Sequence, residues 1–186
     1  ARLITTAANR EIGGGAVAQT LSGGGHADGV SNLSAGSRTI TIGANGTLAP
    51  GDTGANENFA FAFTSGKLDF ASGATIAFDL GTVAGSDRIS FAAPAGDWLS
   101  GSGNATLALT LGAGFSYSNT YTIFQNVSTS GFTLAGITGY DTVNYTANFA
   151  ENGDNYELSF AVIPEPSAAL AVLAGLGGLL VLRRRS

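Results

Sequence analysis

The chain has 186 residues, 44% of them hydrophobic and only 11% charged, against about 25% charged in an average globular protein. Glycine supplies 28 residues, Ser and Thr together 36 and Asn 12, beside a single lysine, Lys67. This disfavours helical bundles, which are carried by Ala, Leu, Glu, Lys and Arg, and the formal charge of −5 disfavours a nucleic-acid binder.

High apolar content with low charge also argues against disorder, which leaves a Gly/Ser/Thr/Asn-rich all-β chain. With no cysteine there is no disulfide frame, thiol nucleophile or Cys-ligated zinc. Residue 1 is Ala and methionine is absent, as expected of a processed chain or a fragment. The opening residues, 1–6, hold no long apolar run of the signal-peptide type.

Composition divides the chain into a Gly-rich N-terminal segment (1–37), an all-β body (38–163) and a distinct tail (164–186). The first segment is weakly periodic, broken by glycine triplets at 13–15 and 23–25. In the body, strands are expected to begin near residues 39, 47, 59, 67, 75 and 87. Phe59, Phe61 and Phe63 alternate with alanines, and Ile76, Phe78 and Leu80 with Thr75, Ala77 and Asp79. Leu107, Leu109 and Leu111 repeat the pattern. Period-two alternation puts each apolar set on one face of a sheet.

Towards the end, Val143, Tyr145, Ala147 and Phe149 form one such set, and Tyr156, Leu158, Phe160 and Val162 a second. Asn152 and Gly153 stand between them as a turn pair, which predicts a hairpin. Strand spacings of 8 to 12 residues fit a β-sandwich, a barrel or a β-solenoid. No fixed period emerges from a count. Small residues suited to tight corners favour a β-solenoid or β-helix-like body, with a β-sandwich as the alternative. The 143–162 hairpin would then cap an exposed end of the stack.

Residues 43–54, Gly-Ala-Asn-Gly-Thr-Leu-Ala-Pro-Gly-Asp-Thr-Gly, resemble a segment of β-helical passenger regions in autotransporters and related bacterial surface proteins. The stretch from Gly136 to Asp141, running on to Asn144, Tyr145 and Thr146, resembles an ending common in such proteins. No membrane barrel follows in this sequence.

The tail begins Pro164, Glu165, Pro166, continues through 16 uncharged residues (167–182) and ends Arg183, Arg184, Arg185, Ser186. At ~1.5 Å per residue a helix over the uncharged run spans roughly 24 Å, somewhat under a ~30 Å hydrocarbon core. Such a helix has no polar face to show water, so a C-terminal transmembrane helix is expected. The arginines should hold its end on the cytoplasmic side, leaving residues 1–163 outside.

Together the three parts closely resemble the PEP-CTERM sorting signal of Gram-negative bacteria. The resemblance implies processing by exosortase, a membrane transpeptidase-like enzyme. Pro164, Glu165 and Pro166 carry over as its recognition motif, and Arg183, Arg184 and Arg185 as the basic end. It further implies a body released to the cell surface or extracellular matrix, with extracellular polysaccharide as a further partner.

Catalytic signatures are sparse. His26 is the single histidine, so a two-His metal site or a His relay cannot be assembled. Its pairing with Asp28 and a distant serine lacks a rigid support, and there is no Gly-x-Ser-x-Gly elbow. Residues 23–30 partly fit a calcium-binding β-roll nonapeptide but occur once. Asp52, Asp87, Asp97, Asp141 and Asp154 read as solvated turn residues. Trp98, Tyr117, Tyr121, Tyr140 and Tyr145 suit either core packing or sugar stacking, with Asp97 and Trp98 the best-placed exposed platform.

The leading expectation is an exported, non-catalytic surface or matrix protein, with no cofactor, no metal site and no nucleic-acid partner. A carbohydrate-binding adhesin module is the second reading, and a β-helical polysaccharide-active enzyme the third. Five basic residues against twelve acidic ones give residues 1–163 a formal charge of −7, which favours solubility.

Overall fold

A computed structural model describes residues 3–4, 10–22, 30–51, 58–92 and 94–164. The strands wind as coils that visit three sheets in turn. The first coil holds β1 (Leu3–Ile4), β2 (Arg10–Ile12) and β3 (Gln19–Ser22). The second holds β4 (Val30–Gly36), β5 (Ile40–Ile42) and β6 (Gly46–Ala49). The third holds β7 (Asn58–Phe63), β8 (Leu68–Phe70) and β9 (Thr75–Leu80), and the fourth β10 (Arg88–Phe91), β11 (Leu99–Ser100) and β12 (Thr106–Leu111).

A fifth, partial coil carries β13 (Tyr121–Gln125) and β14 (Gly136–Thr138). The chain then closes with β15 (Tyr145–Asn152) and β16 (Asn155–Val162). The sheets are β1-β4-β7-β10-β13-β16-β15, β11-β8-β5-β2 and β14-β12-β9-β6-β3. Every pairing from coil to coil is parallel. The body is a parallel β-solenoid of about four turns. Strands ahead of residue 38 belong to the same sheets as those after it.

Alternation explains which side chains fill the tube. Phe59, Phe61 and Phe63 on β7 are buried, as are Ile76, Phe78 and Leu80 on β9, and Leu107 and Leu109 on β12. In-register stacking places like on like: Leu48 pairs with Ile76, and Ile76 with Leu107. Outward-facing small residues form matching ladders, with Thr47 beside Thr75 and Thr75 beside Thr106. Such cross-strand pairs let neighbouring coils sit at the ~4.8 Å sheet spacing without crowding.

Three of the twelve asparagines tie corners of neighbouring coils together. Asn45 Nδ2 donates to the Gly15 carbonyl at 2.7 Å, Asn104 Nδ2 to Phe70 O at 2.9 Å and Asn126 Nδ2 to Phe91 O at 2.9 Å. Each ties a corner to the preceding coil by giving a side-chain donor to a backbone carbonyl there. Asn126 also takes φ +62°, a backbone region that asparagine tolerates better than most residues.

A second corner is held by charge. Lys67 Nζ lies 2.6 Å from Asp97 Oδ2, and Thr129 Oγ1 donates to Asp97 Oδ1 at 2.9 Å. These bonds, Lys67 first, hold the Asp97 carboxyl below its ordinary 3.8. The side chains remain 39% and 61% exposed, so Lys67→Ala is expected to cost under about 1 kcal/mol. A depressed carboxyl stabilises the fold above its unfolded pKa, and that contribution fades as pH falls through the folded value. The gap between wild type and Lys67→Ala in urea melts should therefore be full at neutral pH and close below about pH 3.8. A gap that persisted undiminished at lower pH would count against the assignment.

Sheet edges are where the end of the solenoid is decided. β16 runs antiparallel against β13, and β15 antiparallel against β16, so the hairpin covers the last parallel strand of its sheet. The expected cap is present, with one shift in its turn. Asn152 pairs with Asn155, so the two-residue loop is Gly153 and Asp154, not Asn152 and Gly153. Gly153 takes φ +60° at the first central position, the place where a type II′ turn demands glycine.

Candidate functional site: the capping hairpin and the exit of the tail

Where the tail leaves the body, the strand is still held. Ile163 N–H donates to the Asn144 carbonyl at 2.8 Å, and Pro164 follows as an exposed residue. Glu165, Pro166, the uncharged run 167–182 and Arg183, Arg184 and Arg185 lie outside the described residues. Among the described residues no helix is long and apolar enough to cross a membrane.

The exit point is built on a turn at 141–144. One oxygen of the Asp141 carboxylate accepts from Val143 N at 3.0 Å and Asn144 N at 3.2 Å; the other accepts from Asn144 Nδ2 at 2.7 Å. These bonds, Asn144 foremost, hold the Asp141 carboxyl below the ordinary carboxylate value. Tyr145 N donates to Asp141 O at 3.1 Å, so the turn feeds directly into β15. This corrects the expected strand start at 143: Val143 belongs to the turn and is 79% exposed. Val162, expected on the apolar face, is 71% exposed because it pairs only with Tyr145 and extends past the end of β13.

Beneath the exit, aromatic rings lock the hairpin to the last coil. Tyr117 stacks on Tyr145 with centroids 3.8 Å apart and planes at 6°. Phe160 meets Tyr117 edge-on at 5.1 Å and Phe115 at 5.7 Å. The Tyr117 hydroxyl accepts from Asp141 N at 2.9 Å, joining the aromatic stack to the turn. At the other end of the hairpin, Tyr156 is buried; its hydroxyl donates to Thr129 O and accepts from Phe132 N. Burial raises its pKa above the ordinary tyrosine value.

Between β14 and β15 runs a groove of about 310 Å³, lined by Leu134, Ile137, Tyr140, Ala147 and Phe149 with Thr133 and Gly136. It is an open trough between two sheet edges, with aromatic and aliphatic walls.

The other candidate residues are scattered. Trp98 is half-buried, stacking on Phe63 at 6.1 Å. A Cβ on Gly96 would sit 2.4 Å from its ring, so Trp98 lies against bare backbone and is no exposed platform. Tyr121 is fully buried beneath the C-terminal cap. Asp87 is buried too, its carboxylate accepting Asp79 N–H at 2.8 Å, which corrects its reading as a solvated turn residue. Asp97 and Asp154 are exposed; Asp97 takes the ion pair with Lys67, and the Asp154 carbonyl accepts from Val127 N. His26, Asp28 and Asp52, with the glycine-rich stretch 23–29, lie outside the described residues. Among the described residues no group of three or more His, Cys, Asp or Glu is placed to hold a metal ion.

The class this architecture defines is a parallel β-solenoid closed by an antiparallel hairpin. No protein family, curated protein or solved structure matches the chain.

Proposed function

We propose that the chain is an exported, non-catalytic cell-surface or extracellular-matrix protein whose tail is an exosortase-processed sorting signal. In this reading residues 167–182 anchor the chain transiently in the membrane. Arg183, Arg184 and Arg185 hold the cytoplasmic end. Pro164, Glu165 and Pro166 form the recognition motif at the outer boundary.

One observation carries the reading. Among the described residues the last backbone N–H to be bonded is that of Ile163, and the Pro-Glu-Pro motif starts at the next residue. A cut within the motif frees every strand of the solenoid and the whole cap. Two prolines in three residues also disfavour helix there and keep the peptide extended for an enzyme.

In a host with exosortase, mass spectrometry of the mature protein should show the arginine triplet gone, and a Pro-Glu-Pro to Ala-Ala-Ala variant should retain it. An intact tail on the mature wild-type protein would sink the processing claim. Heat-sensitive hydrolysis of a polysaccharide, abolished by substituting one carboxylate, would sink the non-catalytic one.

A further inference from the structure

Three exposed apolar residues lie at the edge where the body meets the tail. Val143 is 79%, Val162 71% and Ile163 37% exposed. The Ile163–Asn144 hydrogen bond and the Tyr145–Val162 pairing bring all three to one edge of the cap. Half-buried Tyr145 and Tyr117 border them, stacked at 3.8 Å. A solvated cap gains nothing by showing water two valines and an isoleucine along one edge.

We infer that this edge is a lipid-facing contact, seated in the headgroup boundary of the membrane while the tail is inserted. The inference rests on the anchoring reading above and adds to it a surface of the folded body. Chain length supports it. Four residues, 163–166, separate Val162 from the uncharged run. Fully extended they reach at most roughly 14 Å, against about 5–8 Å for one headgroup layer.

Because Ile163 is tied to Asn144, the connector cannot lengthen without breaking the end of the hairpin. The edge carrying Val143 and Val162 is therefore held at the lipid surface. Tyrosine with aliphatic neighbours is the side-chain chemistry that settles at that depth. The charge pattern fixes the kind of lipid. The Asp141 carboxylate sits in the adjoining turn and Glu165 in the connector, and the sequence holds no Lys or Arg from residue 89 to residue 182. The contact is thus apolar and suits zwitterionic headgroups rather than anionic ones.

The natural absence of cysteine makes a clean labelling test possible. Single variants Val143→Cys, Val162→Cys, Val17→Cys and Ala174→Cys of the full chain would carry a nitroxide in phosphatidylcholine vesicles. Val17 is the matched control, a valine equally exposed at 71% but in the first coil. Labels at 143 and 162 should be several-fold less accessible to an aqueous nickel reagent than the label at 17, and more accessible to oxygen.

If labels at 143 and 162 match the one at 17 while the label at 174 is shielded, the chain is anchored and the lipid contact is wrong. If the label at 174 is itself as aqueous as the one at 17, the anchoring reading fails and takes this inference with it.

Discussion

Phe61→Ala is expected to destabilise the solenoid by about 3–5 kcal/mol, the range for deleting a buried aromatic ring. Phe61 is buried in the centre of β7. Its ring lies 4.9 Å from Phe59, 5.6 Å from Phe63 and 5.7 Å from Phe91 between centroids. Removing it opens a void bounded on two coils, since β7 and β10 pair Phe61 with Phe91 directly. Parallel coils held in register cannot collapse into that void without shifting a whole rung, so little of the loss is recovered. Phe61→Leu refills most of the volume and should cost about 1–2 kcal/mol. Urea unfolding monitored by circular dichroism separates the two. A Phe61→Ala protein within about 1 kcal/mol of wild type would show that the stacked rings are not the core.

The second large effect is expected at a corner. Gly101 takes φ +78°, and a Cβ there would lie 2.0 Å from the Phe70 carbonyl oxygen of the preceding coil. Gly103, two residues on, takes nearly the same φ, +77°, but its Cβ would meet only Thr133 Oγ1 at 3.8 Å. Both alanine variants bear left-handed backbone strain of about 1–2 kcal/mol. Only Gly101→Ala must also push one coil's backbone off the next, for a total of roughly 3 kcal/mol or more. The pair therefore separates strain from steric contact. Equal losses for the two variants, measured in the same urea melts, would refute the coil-to-coil contact at Gly101.

The same corners explain why the repeat is hard to count along the chain. Thr20, Thr47, Thr75, Thr106 and Gly136 occupy one register position in successive coils. Their separations, 27, 28, 31 and 30 residues, change because the corners differ in length. Sheet strands must match coil to coil, whereas loops can take up an extra residue at small cost. A fixed-period search fails for that reason. The recurring Thr followed by Leu or Ile was the signal available at Thr20, Thr47, Thr75 and Thr106, and it extends into the glycine-rich first segment.

Alternation on the long strands was legible without coordinates. Phe59, Phe61 and Phe63 all face inward, as do Ile76, Phe78 and Leu80, and the hairpin forms with β16 as its inner strand. Period two depends only on each strand's own pleat, a local property. The tail's three-part pattern and its resemblance to a sorting signal likewise rest on residues 164–186 alone.

What only the tertiary structure decided is which strands meet. Alternation fits a sandwich and a solenoid equally well; parallel stacking of β6 on β9 and β9 on β12 makes it a solenoid. Burial of Asp87 and Tyr121 follows from neighbours far along the chain or across a corner, as when Tyr121 Oη reaches Gly81 O. So does the exposure of Val143 and Val162, which alternation assigns to an apolar face. Val162 extends beyond the end of β13, which would have covered it, and Val143 is taken up by the turn ahead of β15; both are properties of the assembled sheet rather than of either sequence segment.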